Sequence, residues 1–281
     1  MINHNGNLVS KEQAKLLITN RGFQYGDSLF ESIRVINSSI MFWEDHYFRL
    51  MSSMRILRME IPANFSPEYL EEKIKELVEA NQFSKTACRV KINVYRDAEG
   101  KYLPKSNQIG YLISADEIEE QFFTLKEQKC EVELFKDHFV IDGLLSTLKS
   151  NNKLVPILAS IFAEENDYDN CLLLNQKKMV VETTNGNLFL VKKNKIKTPP
   201  LSDGCLNGII RKQLLDIITK MDGYELVEES ISPFELQKAD ELFYTNAIQG
   251  IVNITKYRKK EYQSTTAKKL VGQLNARARL A

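Results

Sequence analysis

Apolar and polar side chains alternate along Leu29-Phe30-Glu31-Ser32-Ile33-Arg34-Val35-Ile36, directly after the turn-like Tyr25-Gly26-Asp27-Ser28. Successive strand residues point to opposite faces, so this spacing predicts a strand. Asn37-Ser38 reads as a turn, with Ser39 to Trp43 as the hairpin partner. From Asp45 to Met59 the apolar residues Phe48, Met51 and Ile56 recur at helical spacing. Ser66 before Pro67 predicts the start of another helix. A serine oxygen accepts an early backbone N–H there, and proline at the first position gives up no helix bond. Ile74, Leu77 and Val78 continue that helix's apolar face, and Cys88 to Tyr95 and Gln108 to Ser114 are β-like.

The acidic stretch Ala115-Asp116-Glu117-Ile118-Glu119-Glu120-Gln121 breaks the pattern and reads as a connection. Beyond it, Lys129 to Phe135 alternates like a strand. Asn152 to Glu165 is predicted helical, with Leu154, Ile157, Leu158, Ile161 and Phe162 on its apolar side. Cys171 to Leu174 and Met179 to Glu182 form a hairpin pattern around Asn175-Gln176-Lys177-Lys178. Asn207 to Met221 has a strong helical pattern, Pro233 to Lys238 reads as a short helix, and Glu241 to Tyr244 as a strand. The expected organisation is a mixed α/β chain: residues 1–115 as a small N-terminal α/β domain, 116–124 as the connection, and 125–281 as a larger C-terminal domain carrying Lys149.

Composition narrows the function classes. At 281 residues the chain suits one large or two modest domains. A net charge of +1 gives no basic excess for a nucleic acid or an anionic membrane surface, so neither partner is expected. No apolar run approaches the roughly eighteen residues that span a bilayer. The start, Met1-Ile2-Asn3-His4-Asn5-Gly6, has no basic region followed by an apolar stretch, so no secretory leader is expected. Cys88, Cys130, Cys171 and Cys205 are scattered without metal-type spacing and read as reduced, mostly buried thiols of a cytoplasmic protein. The histidines lack the close spacing of a catalytic zinc site.

Two segments carry the chemistry. Lys149 lies in Leu148-Lys149-Ser150-Asn151-Asn152-Lys153-Leu154, and Glu182 opens Glu182-Thr183-Thr184-Asn185-Gly186-Asn187. A lysine in a polar pocket can form a Schiff base with a carbonyl. A carboxylate facing a pyridine nitrogen can keep that nitrogen protonated, which makes pyridoxal phosphate an electron sink. Together the segments resemble the lysine and glutamate motifs of the class IV aminotransferases, the fold-type IV pyridoxal-phosphate enzymes. That group spans branched-chain and D-amino-acid aminotransferases and aminodeoxychorismate lyases. The resemblance runs from about Asn5 to Lys256, over separated motifs in the family's order.

The resemblance implies a small α/β domain, a larger one around a β-barrel-like sheet, pyridoxal 5′-phosphate between them, and a homodimer. It makes Lys149 the Schiff-base lysine and proton shuttle, and Glu182 the partner of the pyridine nitrogen. His46-Tyr47-Phe48-Arg49-Leu50 matches a helix-borne motif whose arginine, here Arg49, contacts the phosphate. Leu206-Asn207-Gly208-Ile209-Ile210-Arg211 matches the turn whose backbone N–H groups receive the phosphate. Leu242-Phe243-Tyr244-Thr245-Asn246-Ala247 matches the segment closing that cup. Asn187, Leu206, Gly208, Ile209, Ile210, Asn246 and Ala247 are thus expected at the cofactor.

Two positions depart from the aminotransferases of the group. Ile210 and Ala247 stand where many have threonine, and the Asn-Gly-Ile-x-Arg turn with an Asn-Ala pair is common in the lyases. Arg96-Asp97-Ala98-Glu99-Gly100-Lys101-Tyr102 falls at the substrate loop and lacks the Arg-x-His pair of the D-amino-acid enzymes. Phe30, Arg34, Tyr102 and Lys153 are the candidate substrate contacts; a cation at Lys153 either favours a dicarboxylate or points to solvent. The leading expectation is transfer of an amino group between a small amino acid and a 2-oxo acid. The alternatives are aminodeoxychorismate lyase activity, with elimination of pyruvate, and a non-catalytic protein that only binds the cofactor.

Overall fold

The computed structural model describes residues 1–279. Ile2–His4 (β1) and Asn7–Val9 (β2) form a hairpin, followed by a short helix at Arg21–Tyr25 (α1). Then come Ser28–Ile36 (β3), Ser39–Ile40 (β4), Trp43–Ile56 (α2), Pro67–Ala80 (α3), Ala87–Arg96 (β5) and Ile109–Ile118 (β6). The strands pair antiparallel in the order β2-β1-β6-β5-β3-β4. Ser66 Oγ accepts the Tyr69 N–H at 3.2 Å, with Pro67 in the first turn, so α3 starts at the cap expected for it. Leu70, Ile74, Leu77 and Val78 are fully buried, each contributing about 1.5–3 kcal/mol of apolar burial.

Three details differ from the sequence reading. Trp43 begins α2 instead of ending a strand, because Phe42 adopts a left-handed backbone (φ 54°) that turns the chain into the helix. Phe48 lies on the exposed side of α2, 61% accessible; His46, Leu50, Met51 and Met54 face inward. The acidic stretch is half strand: β6 runs on to Ile118 because it pairs with β5 along that strand's whole length, from Arg96↔Ile109 to Ala87↔Ile118.

The first compact unit comprises Met1–Phe122 together with Lys149–Asn152. Lys149 is thereby grouped with the first unit, whereas the sequence reading puts it in the second. The cause is backbone pairing. The Phe30 N–H donates to the Lys149 carbonyl at 2.8 Å, and the Asn151 N–H donates to the Ser28 carbonyl at 3.1 Å. The segment therefore completes the edge of β3 that the short β4 leaves uncovered.

The second unit comprises, among the described residues, Phe123–Leu148 and residues 153–279. It holds Glu131–Val140 (β7), Leu154–Glu165 (α4), Asn170–Asn175 (β8), Val180–Thr183 (β9), Asn187–Lys192 (β10) and Lys195–Thr198 (β11). After these come Ile209–Ile218 (α5), Glu225–Glu228 (β12), Pro233–Leu236 (α6), Glu241–Asn246 (β13) and Gly250–Ile254 (β14). Lys256–Tyr257 (β15), Lys260–Glu261 (β16) and Thr265–Ala278 (α7) close the unit. Its ten-stranded sheet branches at β10, which pairs with β9 and β11 on one side and β13 on the other. Parallel β7 and β8 are joined through α4, the crossover that a parallel pair requires.

One face of this sheet is apolar, with Val132, Leu134, Leu172, Leu188, Leu242 and Tyr244 in a single core. On α4 the buried positions are the small Ala159 and Ala163, which pack against Phe135 and Leu173. Of the apolar stripe expected to be the packed side, Phe162 does pack against this cluster, but Leu154 is 75% exposed, and Ile157, Leu158 and Ile161 are exposed with it. Small residues let the helix lie close to β7 and β8, with Val155 and Phe162 at the margin of the contact. All four cysteines are free and buried. Among the described residues no helix is long and apolar enough to cross a membrane.

Candidate functional site

In the first unit, β3 places Glu31 on the same face as Leu29, Ile33 and Val35, which are all buried. A carboxylate there must be matched by donors, because an isolated buried charge costs several kcal/mol. Helix α2 supplies them. His46 and Arg49, three residues apart, share one face of the helix. His46 Nδ1 lies 2.7 Å from Glu31 Oε2; Arg49 donates from Nε to Oε1 at 2.8 Å and from Nη2 to Oε2 at 2.5 Å.

Burial alone would raise the Glu31 pKa. The Arg49 charge, with the hydrogen bonds from His46 and Arg49, outweighs it and brings the value down to about 2. Burial lowers the His46 pKa; Glu31 opposes this, and the positive charges of Arg49 and Lys149 add to it. An ionised Glu31 only accepts, so a neutral His46 carries its proton on Nδ1 and donates it.

Lys149 stands over the Phe30 ring, Nζ at 4.4 Å from the centroid, and Lys91 Nζ approaches the same ring at 4.9 Å. Phe30 is thus a seat for ammonium groups beside Lys149. Arg34 donates to the carbonyls of Glu120 and Phe122, which ties down the end of its own unit. Tyr102 is 90% exposed. Its loop is held by Arg21, which donates to the carbonyls of Gly100, Lys101 and Tyr102; Arg21 and Arg96 both donate from Nε to Asp27 Oδ2 at 2.9 Å.

In the second unit the register brings two expected residues, Glu182 and Asn187, into one row with Thr245. Glu182 on β9 is opposite Asn187 on β10, and Asn187 is opposite Thr245 on β13. Directly opposed residues present their side chains on the same face. The row clamps the turn leading into α5: Leu206 N–H donates to Glu182 Oε2 at 3.0 Å, and Asn187 Nδ2 donates to the Leu206 carbonyl at 2.8 Å. Gly208 is the N-cap of α5, and no side chain caps it. A Cβ at Gly208 would collide with Asn187 Oδ1, so the close approach of this turn to the sheet requires glycine.

The first N–H groups of a helix lack intrahelical acceptors, and with the helix dipole they favour an anion. The backbone of Ile209 and Ile210 is placed there, their side chains buried. Arg211, the end of the motif, turns away to the Pro199 carbonyl at 3.0 Å and Glu228 at 2.5 Å. Burial pushes the Cys205 thiol up to about 12, with the Glu182 charge adding, so this neighbour of Leu206 is no nucleophile near neutral pH.

The Asn246 carboxamide closes its own turn. Its Nδ2 donates to Gln249 Oε1, and its Oδ1 accepts from the N–H groups of Ile248 and Gln249. Glu31, His46 and Thr245 were not singled out from the sequence. For Glu31 a signal existed, a carboxylate on the apolar face of a strand. For Thr245 the signal was its place in the cup-closing segment, although threonine is otherwise an ordinary strand residue.

Residues 28–257 match the sequence model of the family described as amino-transferase class IV. A putative branched-chain-amino-acid aminotransferase of Methanocaldococcus jannaschii is 30% identical over 89% of this chain and 85% of its own length. The branched-chain amino acid aminotransferase of T.th., solved in complex with N-(5′-phosphopyridoxyl)-L-glutamate, superposes with a TM-score of 0.85 at 26% identity, covering 97% of this chain and 92% of that one. A putative 4-amino-4-deoxychorismate lyase from Legionella pneumophila gives 0.84 at 25% identity, over 95% and 96% of the two chains.

Proposed function

The chain belongs to the class IV aminotransferase family, and from that membership we propose that it is a pyridoxal-phosphate-dependent aminotransferase acting on a small amino acid and a 2-oxo acid. The donor set suits the cofactor: an amine at Lys149, a carboxylate at Glu182, and an uncapped helix start at α5. When bound, pyridoxal phosphate supplies a carbonyl carbon that takes an amine and a pyridine ring that draws electrons from the substrate Cα.

The residues then divide the work. Lys149 would hold the cofactor's carbonyl carbon through Nζ and, as general base and acid, would carry the proton taken from the substrate Cα. Glu182 would accept the pyridine N–H and keep it protonated; the Leu206 N–H on Oε2 holds the carboxylate in place. The N–H groups of Ile209 and Ile210 would receive the phosphate, and Gly208 would give it access. Asn187 keeps Leu206 in position. Arg49, with its Nε and Nη2 on Glu31, is the family motif's phosphate arginine and would add a fixed positive charge for that group. Asn246 and Ala247 close the cup by their backbone, and Phe30, Arg34, Tyr102 and Lys153 belong to the substrate side.

The observation that carries this reading is the clamp on Leu206, which joins the Glu182 carboxylate to the open end of α5. A panel of L- and D-amino acids tests it, with pyruvate and 2-oxoglutarate as acceptors. Product should form only when donor and acceptor are both present. Lyase activity is the second reading, favoured by the Asn246-Ala247 pair and by Ile210, which leave the cup without hydroxyls at those positions. Release of pyruvate from aminodeoxychorismate with no oxo acid consumed would establish the lyase and sink the transferase.

The exposed apolar side of α4, together with exposed Ile141, Leu144 and Leu145, supports a homodimer, which light scattering would detect as twice the 32.4 kDa chain mass. Free, buried cysteines support a cytoplasmic location.

A further inference from the structure

Thr245 is 2% exposed, and its Oγ1 has no hydrogen-bond partner among the described residues. Buried hydroxyls are nearly always satisfied, so one that is not requires an explanation. Its position supplies one. Thr245 ends the row Glu182–Asn187–Thr245, whose side chains share a face of the sheet. Asn187, its direct neighbour in the row, touches the Gly208 turn. Helix α5 packs on β13, and its first turn has no side-chain cap. A donor without an acceptor and a helix start without a cap thus lie on the same side of one sheet. Three motif residues bring no substitute: Ile210 and Ala247 have no polar side-chain atom, and the Asn246 carboxamide is engaged in its own turn.

We propose that the Thr245 hydroxyl is a further ligand-binding group, donating to the phosphate held at the start of α5. The proposal rests on the cofactor reading above and adds to it a side-chain donor not singled out from the sequence. An anion seated there turns a buried, unmatched hydroxyl into a charge-assisted hydrogen bond, which is about twice as strong as one between neutral groups. The hydroxyl then contributes to holding the phosphate and nothing to holding the pyridine ring.

The test separates those two contributions. Full-length apo protein carrying Thr245→Val, of nearly the same shape, and Thr245→Ser, which keeps the hydroxyl, is titrated by absorbance with pyridoxal phosphate and, in parallel, with pyridoxal. Thr245→Val should raise the Kd for pyridoxal phosphate about tenfold and leave that for pyridoxal unchanged. Thr245→Ser should bind both as the wild type does. Apo melting of Thr245→Val should be unchanged or higher, because an unmatched hydroxyl has been removed. Equal pyridoxal phosphate affinity in valine variant and wild type overturns the proposal, and so does an equal loss for both ligands. Thr245→Ala takes the place of the valine variant, with the same expected outcomes, should the latter not fold. A wild type that takes up no pyridoxal phosphate at all overturns the cofactor reading, and this proposal with it.

Discussion

Glu31 and Thr245 are both polar side chains buried on strands that face a helix, and the protein treats them in opposite ways. Glu31 receives His46 and two nitrogens of Arg49 within its own unit. Thr245 receives nothing among the described residues. The difference follows from the cost of each group. An unmatched buried carboxylate costs several kcal/mol and must be answered by the fold itself. An unmatched hydroxyl costs about 1–3 kcal/mol, which a domain can carry until a ligand arrives. The Thr245 hydroxyl can therefore wait for an anion, whereas the Glu31 carboxylate is answered within the fold.

The largest effect expected is on chemistry beside the balanced cluster. Lys149→Ala should cut transamination by at least about 10²–10⁴-fold, since nucleophile and proton shuttle are lost together. It should also raise the His46 pKa, because the Lys149 charge is one of the forces lowering it. Borohydride reduction of wild type should fix the cofactor mass on the Lys149 peptide; a label on Lys153 would overturn the assignment. Next, Glu182→Ala should lose most of the rate, on the order of 10²–10³-fold, while the cofactor stays bound. Full restoration by added cofactor would show that Glu182 anchors the cofactor and does not act on its electrons.

Stability should separate the two regions. Glu31→Gln leaves Arg49 without its carboxylate and should cost about 3–5 kcal/mol in urea unfolding. A cost below about 1 kcal/mol would mean that the cluster is not a closed charge network.

Acid attacks the same region by a route the hydroxyl row lacks. His46 and Glu31 both have folded pKa values below their ordinary ones of 6.5 and 4.5. The unfolded chain therefore takes up protons first, and stability falls as pH drops. The His46 share declines below about 6.5. The Glu31 share, roughly 3 kcal/mol, is present above 4.5 and is lost as pH falls through about 2. Glu31→Gln should remove the lower limb of that profile, whereas Thr245→Val should leave the whole profile unchanged.

The smallest effect concerns the cup. Ile210→Thr adds a hydroxyl at the start of α5 and should tighten cofactor binding by about 0.5–1.5 kcal/mol. The Ile210 side chain is buried, so the apo form should lose about 1 kcal/mol in melting. Weaker binding would show that Ile210 does not face the phosphate.

Local signals were legible. The Ser66-Pro67 cap, the strand alternation at Leu29–Ile36 and the helix after Asn207 act within one or two turns of chain, and the elements formed there. Lys149 and Glu182 were legible as motifs, because their neighbours carry the pattern. The apolar stripe of α4 was legible as a stripe, but its direction was not. Which side of a helix packs depends on how closely the sheet beneath allows it to approach, and Ala159 and Ala163 decided that.

By itself, then, the order of residues determined the elements, the chemical types at the motifs and the family. Each rests on interactions between near neighbours or on residue identity alone. Only the tertiary structure decided that Lys149 pairs with β3, that His46 and Arg49 answer Glu31, and that Thr245 joins Glu182 and Asn187 in one row. Those relations depend on strand register and helix docking, where a shift of a single residue turns every side chain to the opposite face. No local pattern encodes that choice; the summed burial of the whole sheet makes it.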